Sequence, residues 1–204
     1  MNYFFGIKNS EFKSELQIPI FQNTNPKNED IFLFKASIEN NEWKFEELNK
    51  SKIQDNFYIV TSDEIDNDSI FFLAYRENII DFNINKLNNL NNFTDTYPNF
   101  RSNFKIMLNN GGFSSFQSEY PYRMIDKKGS ILSSVSSVTN IDAEKNYIFI
   151  KNIFKSPIQE NFNAYLVDIK NKKVLEKIKI KTNFSNIFEL KKTLIKPEIF
   201  LVTE

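Results

Sequence analysis

The chain has 204 residues, 41% of them hydrophobic and 25% charged, with 26 basic and 26 acidic side chains and neither cysteine nor histidine. These absences exclude disulfides, zinc sites built on thiolate or imidazole, Fe–S clusters and Cys or Ser-His nucleophiles, leaving carboxylates, Lys, Tyr, Ser or a hard metal as sources of catalysis. A formal charge of zero, with both signs spread along the chain, offers no overall basic field, so nucleic acid is not expected as a partner.

The length suits a single all-β domain over residues 1–204, with a loose subdivision near 85–97 as the alternative. No apolar run approaches the roughly 18 residues of a membrane span. The N-terminal MNYFFGIKNSEFK has no basic segment followed by a long apolar one. A soluble, cytoplasmic protein with no membrane partner is therefore expected.

In chain order, short runs rich in Phe, Ile, Val and Tyr span 3–7, 31–38, 57–61, 70–76, 100–108, 147–154, 164–169, 174–181 and 199–202. Turn-forming clusters separate them, as in an antiparallel β-sandwich or barrel-like fold. Glu46–Ile53 and Asn186–Leu194, the latter capped by Ser185, are the short helical candidates. Polar connectors at 22–30 and 85–95 read as loops. The acidic run Asp63–Asp68 lacks the bend glycine and distal glutamate of a calcium loop and reads as a solvated turn, with an adventitious Ca²⁺ or Mg²⁺ site as the alternative. Residues 164–169 and 174–181 form a hairpin through Lys170–Lys173, the second strand ending in alternating apolar and basic residues.

Lysine dominates the positive charge, and the Lys, Asn, Ile and Phe bias is that of an AT-rich genome. The 22 phenylalanines are accordingly read as core filler. Against that background, two of the three arginines and three of the four glycines fall within residues 97–139. From Phe100 to Leu108 apolar and polar residues alternate, and a second strand runs from Phe113 to Tyr120. A three-residue loop, Asn109–Gly111, sets Phe104 against Phe116, Phe100 against Tyr120, Arg101 against Glu119, Asn103 against Gln117 and Lys105 against Ser115, so that every pair agrees in character. That loop is a type I turn followed by a residue of positive φ at Gly111, giving a G1-bulge hairpin. A five-residue loop is the alternative register. Gly129 closes a turn from Asp126, and Ser130–Ser137 reads as a strand with its serines outward.

The predicted hairpin has a polar face of Arg101, Asn103, Lys105, Ser115, Gln117 and Glu119, followed by Tyr120-Pro121-Tyr122-Arg123. Amides, a carboxylate and the arginine fork suit sugar hydroxyls, a carboxylate or a phosphate, with Tyr120 or Tyr122 stacking and Arg76 reaching in from the end of its own strand. The competing reading is an Arg101–Glu119 ion pair on a solvated face. The function expected is a non-catalytic module that binds a polar small molecule, foremost a glycan or acidic sugar. The alternatives are an interaction protein, such as an accessory subunit or virion component, that meets another protein chain, and a glycan-active enzyme based on carboxylates or Tyr. No catalytic set, cofactor or resident metal is assigned.

Overall fold

A computed structural model describes residues 4–19, 31–48, 53–54, 57–75, 102–117, 132–154 and 156–203. The described chain is mainly β, with several antiparallel sheets. It divides into two compact units, the first holding the described residues up to 117 with 156–157, the second holding 132–154 and 158–203.

In the first unit the strands are β1 (Phe12–Pro19), β2 (Ile31–Glu39), β3 (Glu42–Glu47), β4 (Ile53–Gln54), β5 (Phe57–Val60), β6 (Ile70–Tyr75), β7 (Asn103–Leu108) and β8 (Phe113–Gln117). They form a five-stranded sheet ordered β4-β5-β1-β7-β8 and a three-stranded sheet ordered β3-β2-β6. Strand β1 pairs β5 on one side and β7 on the other. Strands from before and after residues 85–97 thus share one sheet, and the chain passes to the second unit later, between 117 and 132.

Alternation along β1 puts Leu16 and Ile18 inward, where they meet Tyr58 and Val60 of β5, Leu33 of β2, and Phe71 and Leu73 of β6. Burial of such side chains contributes about 1.5–3 kcal/mol each before the entropy of ordering is counted. In the three-stranded sheet, residues 32–34 of β2 and 70–73 of β6 are buried on both faces. On its second face Phe34 stacks on Phe72 with ring centroids 5.9 Å apart, and Phe45 meets Phe72 edge-on at 6.2 Å. Trp43 and Ile70 are buried as well. This explains why β2 and β6 read as near-continuous apolar runs rather than alternating ones.

Strand β3 follows β2 through Asn40 and Asn41, whose φ values of 52° and 61° make the two-residue turn favoured by right-twisted hairpins. The helix expected over Glu46–Ile53 is not formed in its described residues: Glu46 and Glu47 close β3, and Ile53 opens β4. Pairing with β2 supplies the backbone partners that a short helix without an apolar face does not secure.

The segment before β1 packs against that strand very closely. Ser14, buried on the inner face, accepts the Ile7 N–H at 2.8 Å and donates its hydroxyl to the Ile7 carbonyl at 2.8 Å. Gly6 makes this approach possible, since a Cβ there would lie 2.6 Å from Ser14 Oγ and 2.7 Å from Ile65 Cδ1.

In the second unit a four-stranded sheet has the order β12-β11-β14-β9, and β10 pairs β13. Its strands are β9 (Leu132–Ser134), β10 (Asn146–Lys151), β11 (Asn161–Asp168), β12 (Lys173–Lys181), β13 (Ser185–Leu190) and β14 (Ile199–Thr203). Ile148 and Ile150 of β10 and Leu190 of β13 pack with Phe162, Ala164, Leu166, Ile180 and Leu201 of the larger sheet in one core. The hairpin predicted through Lys170–Lys173 is formed by β11 and β12, with its turn over 169–172, one residue earlier, and an irregularity between Leu166 and Val167.

Two expectations are corrected in this unit. Ser185–Leu190 is a strand bonded to β10, not the start of a helix, and only Lys192–Leu194 forms a 3-10 turn. Isolated helices of this length are marginal, whereas six register pairs with β10 satisfy the backbone. Among its described residues the serine segment is a strand over Leu132–Ser134, after which Val135–Ser137 turns as a 3-10 helix with Val135 fully buried.

Side chains close the β12–β13 turn. Asn186 accepts the Lys181 N–H at 2.8 Å and donates to the Lys181 and Phe184 carbonyls at 2.8 and 2.9 Å. Asn183, with φ 50° and its side chain buried, accepts from Phe154 N–H at 2.7 Å and donates to the Ile158 carbonyl at 2.9 Å.

Three measurements check this account. Gly6→Ala is expected to destabilise by about 1–3 kcal/mol through overpacking, although its backbone conformation needs no glycine. Ser14→Ala is expected to lose about 2 kcal/mol by leaving both Ile7 backbone groups unpaired, read as a lower urea midpoint. The third concerns pH. Asp168 accepts the Asn171 backbone N–H at 2.9 Å and its side-chain amide at 2.8 Å, and these bonds, the backbone bond first, hold its carboxyl below the usual carboxylate value. A lowered folded-state pKa gives stability that is present above the unfolded value and lost as pH falls through the folded one. The stability difference between the wild type and Asp168→Asn is therefore expected to shrink on acidification below the ordinary carboxylate range.

Candidate functional site

Strands β7 and β8 form the predicted hairpin in the predicted register. Asn103 stands opposite Gln117, Phe104 opposite Phe116 and Lys105 opposite Ser115. The turn is the three-residue one. Gly111 N–H donates to the Leu108 carbonyl at 3.2 Å, Leu108 N–H donates to the Gly112 carbonyl at 3.0 Å, and Gly111 has φ 114°. Gly112 also has positive φ, at 82°. The tip is held to the chain before β1, since Asn109 donates its backbone N–H to the Glu11 carbonyl at 2.9 Å and its side-chain amide to the Ser10 carbonyl at 2.7 Å.

Of the eight residues nominated for the site, Asn103 is described in full, and Gln117 is placed by its backbone in β8. Arg76, Arg101, Glu119, Tyr120, Tyr122 and Arg123 lie outside the described residues.

The local hairpin pattern could not reveal a third strand. Strand β1 pairs β7 with Gln17 opposite Asn103, Glu15 opposite Lys105 and Lys13 opposite Met107, so these residues lie on the same face as Asn103. Asn103 donates its amide to Gln17 Oε1 at 3.1 Å, and Gln17 donates its own amide to Glu15 Oε1 at 3.3 Å. A chain of two amides thus ends on a carboxylate across two strands. Alongside, the Lys105 ammonium lies 4.7 Å from the centre of the Phe113 ring, and Phe113 is 69% exposed. The signal for β1 was present in the alternation of Lys13, Glu15 and Gln17 with Phe12, Leu16 and Ile18, but it is interrupted by Ser14, whose inward position only the Ile7 contact explains.

This arrangement offers fixed hydrogen-bonding groups, the Glu15 carboxylate, the Lys13 and Lys105 ammonium groups and an exposed aromatic ring on a sheet face. The opposite face of the hairpin is tied to the core, where Phe104 meets Phe5 edge-on at 6.3 Å. The face is therefore carried by a packed scaffold rather than by a loop.

The acidic run Asp63–Asp68 has structural uses. Glu64 accepts from the Thr61 N–H and hydroxyl, Asp66 pairs with Lys35 at 2.6 Å, and Asn67 exchanges two hydrogen bonds with the Lys8 backbone at 3.0 and 2.7 Å. Ile65 is fully buried between them. Among the described residues no group of three or more carboxylates is placed to hold a metal ion. Burial, with the Glu47 carboxylate adding to it, pushes the Tyr58 hydroxyl above the ordinary phenol value. No described helix is long and apolar enough to cross a membrane.

Comparison with protein-family models, curated proteins and solved structures finds no match to this chain.

Gly111→Ala tests the turn. No atom lies within 4 Å of where the new Cβ would stand, so the cost is backbone strain alone. A loss of about 1–2 kcal/mol is expected with the register retained, read by denaturation and by cross-strand amide contacts in NMR.

Proposed function

We propose that this protein is a non-catalytic binding module for a polar ligand, foremost a glycan or acidic sugar, held on the outer face of β1, β7 and β8. The observation that carries the reading is the Asn103–Gln17–Glu15 amide and carboxylate chain beside the exposed Phe113 ring. Amides and carboxylates bond sugar hydroxyls in both directions, and an aromatic face packs on the apolar C–H side of a sugar ring. Lys105 supplies the charge that an acidic sugar needs. Arg101, Glu119, Tyr120, Tyr122 and Arg123, close in sequence to the hairpin, extend the proposed contact set, with Arg76 from the segment after β6.

One observation favours a second reading, in which this surface meets another protein chain as part of an accessory or structural assembly. Phe113, on the outer face near the hairpin tip, is 69% exposed, an apolar group suited to protein contact.

A thermal-shift screen of the purified protein against neutral sugars, acidic sugars and sugar phosphates tests the first reading. A ligand at about one hundred times its Kd adds roughly 2.7 kcal/mol, a rise of several degrees in Tm. The rise is expected with acidic sugars and is expected to be lost in Asn103→Ala and Arg101→Ala. No rise with any class, together with self-association abolished by Phe113→Ser, favours the interaction reading instead.

A further inference from the structure

The whole chain is neutral, yet its two units are not. The described residues of the first unit carry five lysines and ten carboxylates, those of the second eleven lysines and seven. Within the second unit, Lys177, Lys179 and Lys181 occupy alternate positions of β12, so their side chains share one face. That face also carries Tyr165 and Asn163 of β11, opposite Lys177 and Lys179. Lys177 lies 5.9 Å from the centre of the Tyr165 ring and Lys181 lies 5.1 Å from that of Phe184. Among the described residues none of the three lysines is in an ion pair.

Strand β12 is also an edge: its one hydrogen-bonded neighbour in the sheet is β11. The direction of its peptide groups follows from the turn that ends it. Thr182 N–H donates to the Glu160 carbonyl on the β11 side, whereas the Lys181 N–H and carbonyl bond the Asn186 side chain. Because alternate residues of an antiparallel strand direct these groups to opposite sides, Lys179 and Lys177 direct theirs away from β11 as well. Asn186 therefore closes the first position of the outer edge, and the next two are open among the described residues. They belong to two of the lysines. Past them, Val174 is 55% and Leu175 36% exposed, with Ile169 52% exposed in the turn.

We propose that the outer edge of β12 docks an extended acidic segment of a partner protein, which adds as a further strand. Main-chain hydrogen bonds to Lys177 and Lys179 give the pairing, and Asp or Glu at alternate positions of the incoming strand meet the lysine row. Exposed Val174 and Leu175 receive an apolar residue at its end. The same lysines disfavour pairing with a second copy of β12, because like charges would face each other across the new ladder.

The test uses the full-length protein and a fluorescent peptide alternating glutamate and threonine, followed by anisotropy at low and physiological salt. Saturable binding is expected, weakened at least about tenfold when the peptide is N-methylated at alternate residues, which keeps its charge and removes its pairing edge. Lys177→Glu with Lys179→Glu is expected to weaken it by a similar factor while leaving Tm within a few degrees, both side chains being exposed. Equal binding of the methylated peptide, or of a lysine-threonine peptide, would overturn the proposal, as would no binding. Tighter binding of heparin or a single-stranded oligonucleotide, insensitive to the peptide as competitor, would reassign the row to polyanions and overturn it too.

Discussion

A peptide group taken out of water must find a partner, and in this protein short polar side chains supply one wherever a strand stops doing so. Ser14 bonds both the N–H and the carbonyl of Ile7. Asn67 does the same for Lys8, Asn146 for Asn140, and Asn186 for Lys181. Each acts as a strand one residue long. A primary amide, with an acceptor and donors side by side, matches the peptide edge in a way that lysine cannot. Asparagine is common in this chain through its compositional bias, and at these sites it is put to structural use. Where the peptide is buried, as at Ile7, removing such a partner leaves two backbone groups unsatisfied at once, a larger loss than that of one ordinary hydrogen bond.

The sequence made the β7–β8 hairpin legible because its two strands test each other. Only one loop length paired Phe104 with Phe116 and Asn103 with Gln117, and the glycine at the left-handed position agreed with it. The β11–β12 hairpin was legible for a similar reason, its strands being separated by a short polar turn. Strand β1 was not, because its apolar alternation is broken by a serine whose partner is seven residues earlier, and β3 was not, because its EWKFEE stretch alternates too briefly to register without its Asn40-Asn41 turn. Strand β13 read as helix because Ile187, Phe188 and Leu190 fit either period, and its partner β10 lies far back in the chain. Of the candidate site, the sequence located the hairpin face but missed the β1 half, since a non-local strand leaves no trace in local periodicity.

The abundance of phenylalanine has a structural use of its own. A sheet buried on both faces needs bulky side chains at successive positions, and β2 and β6 meet that need with Phe32-Leu33-Phe34 and Phe71-Phe72-Leu73. Their rings interlock on one face and join the aliphatic core on the other. Phe113 is the counter-example, placed by register on the polar face of the hairpin and left open under a lysine. An aromatic ring that the core does not take, in a chain where the core takes so many, is the feature that most separates this face from a merely solvated one.

Strands β8 and β12, two of the sheet edges among the described strands, show contrasting treatments of one hazard. An exposed edge invites pairing, and β8 and β12 each have a single neighbour among the described strands. β8 follows a bulged glycine turn, a device that increases local twist and so blunts a flat edge. Strand β12 is nine residues long and is protected by charge instead, with lysine at alternate positions and an asparagine closing one end. Protection by charge is selective where protection by shape is general. A lysine row disfavours another lysine-bearing edge and favours an acidic one, so the same charges that oppose self-pairing set the chemistry of the segment proposed to dock there.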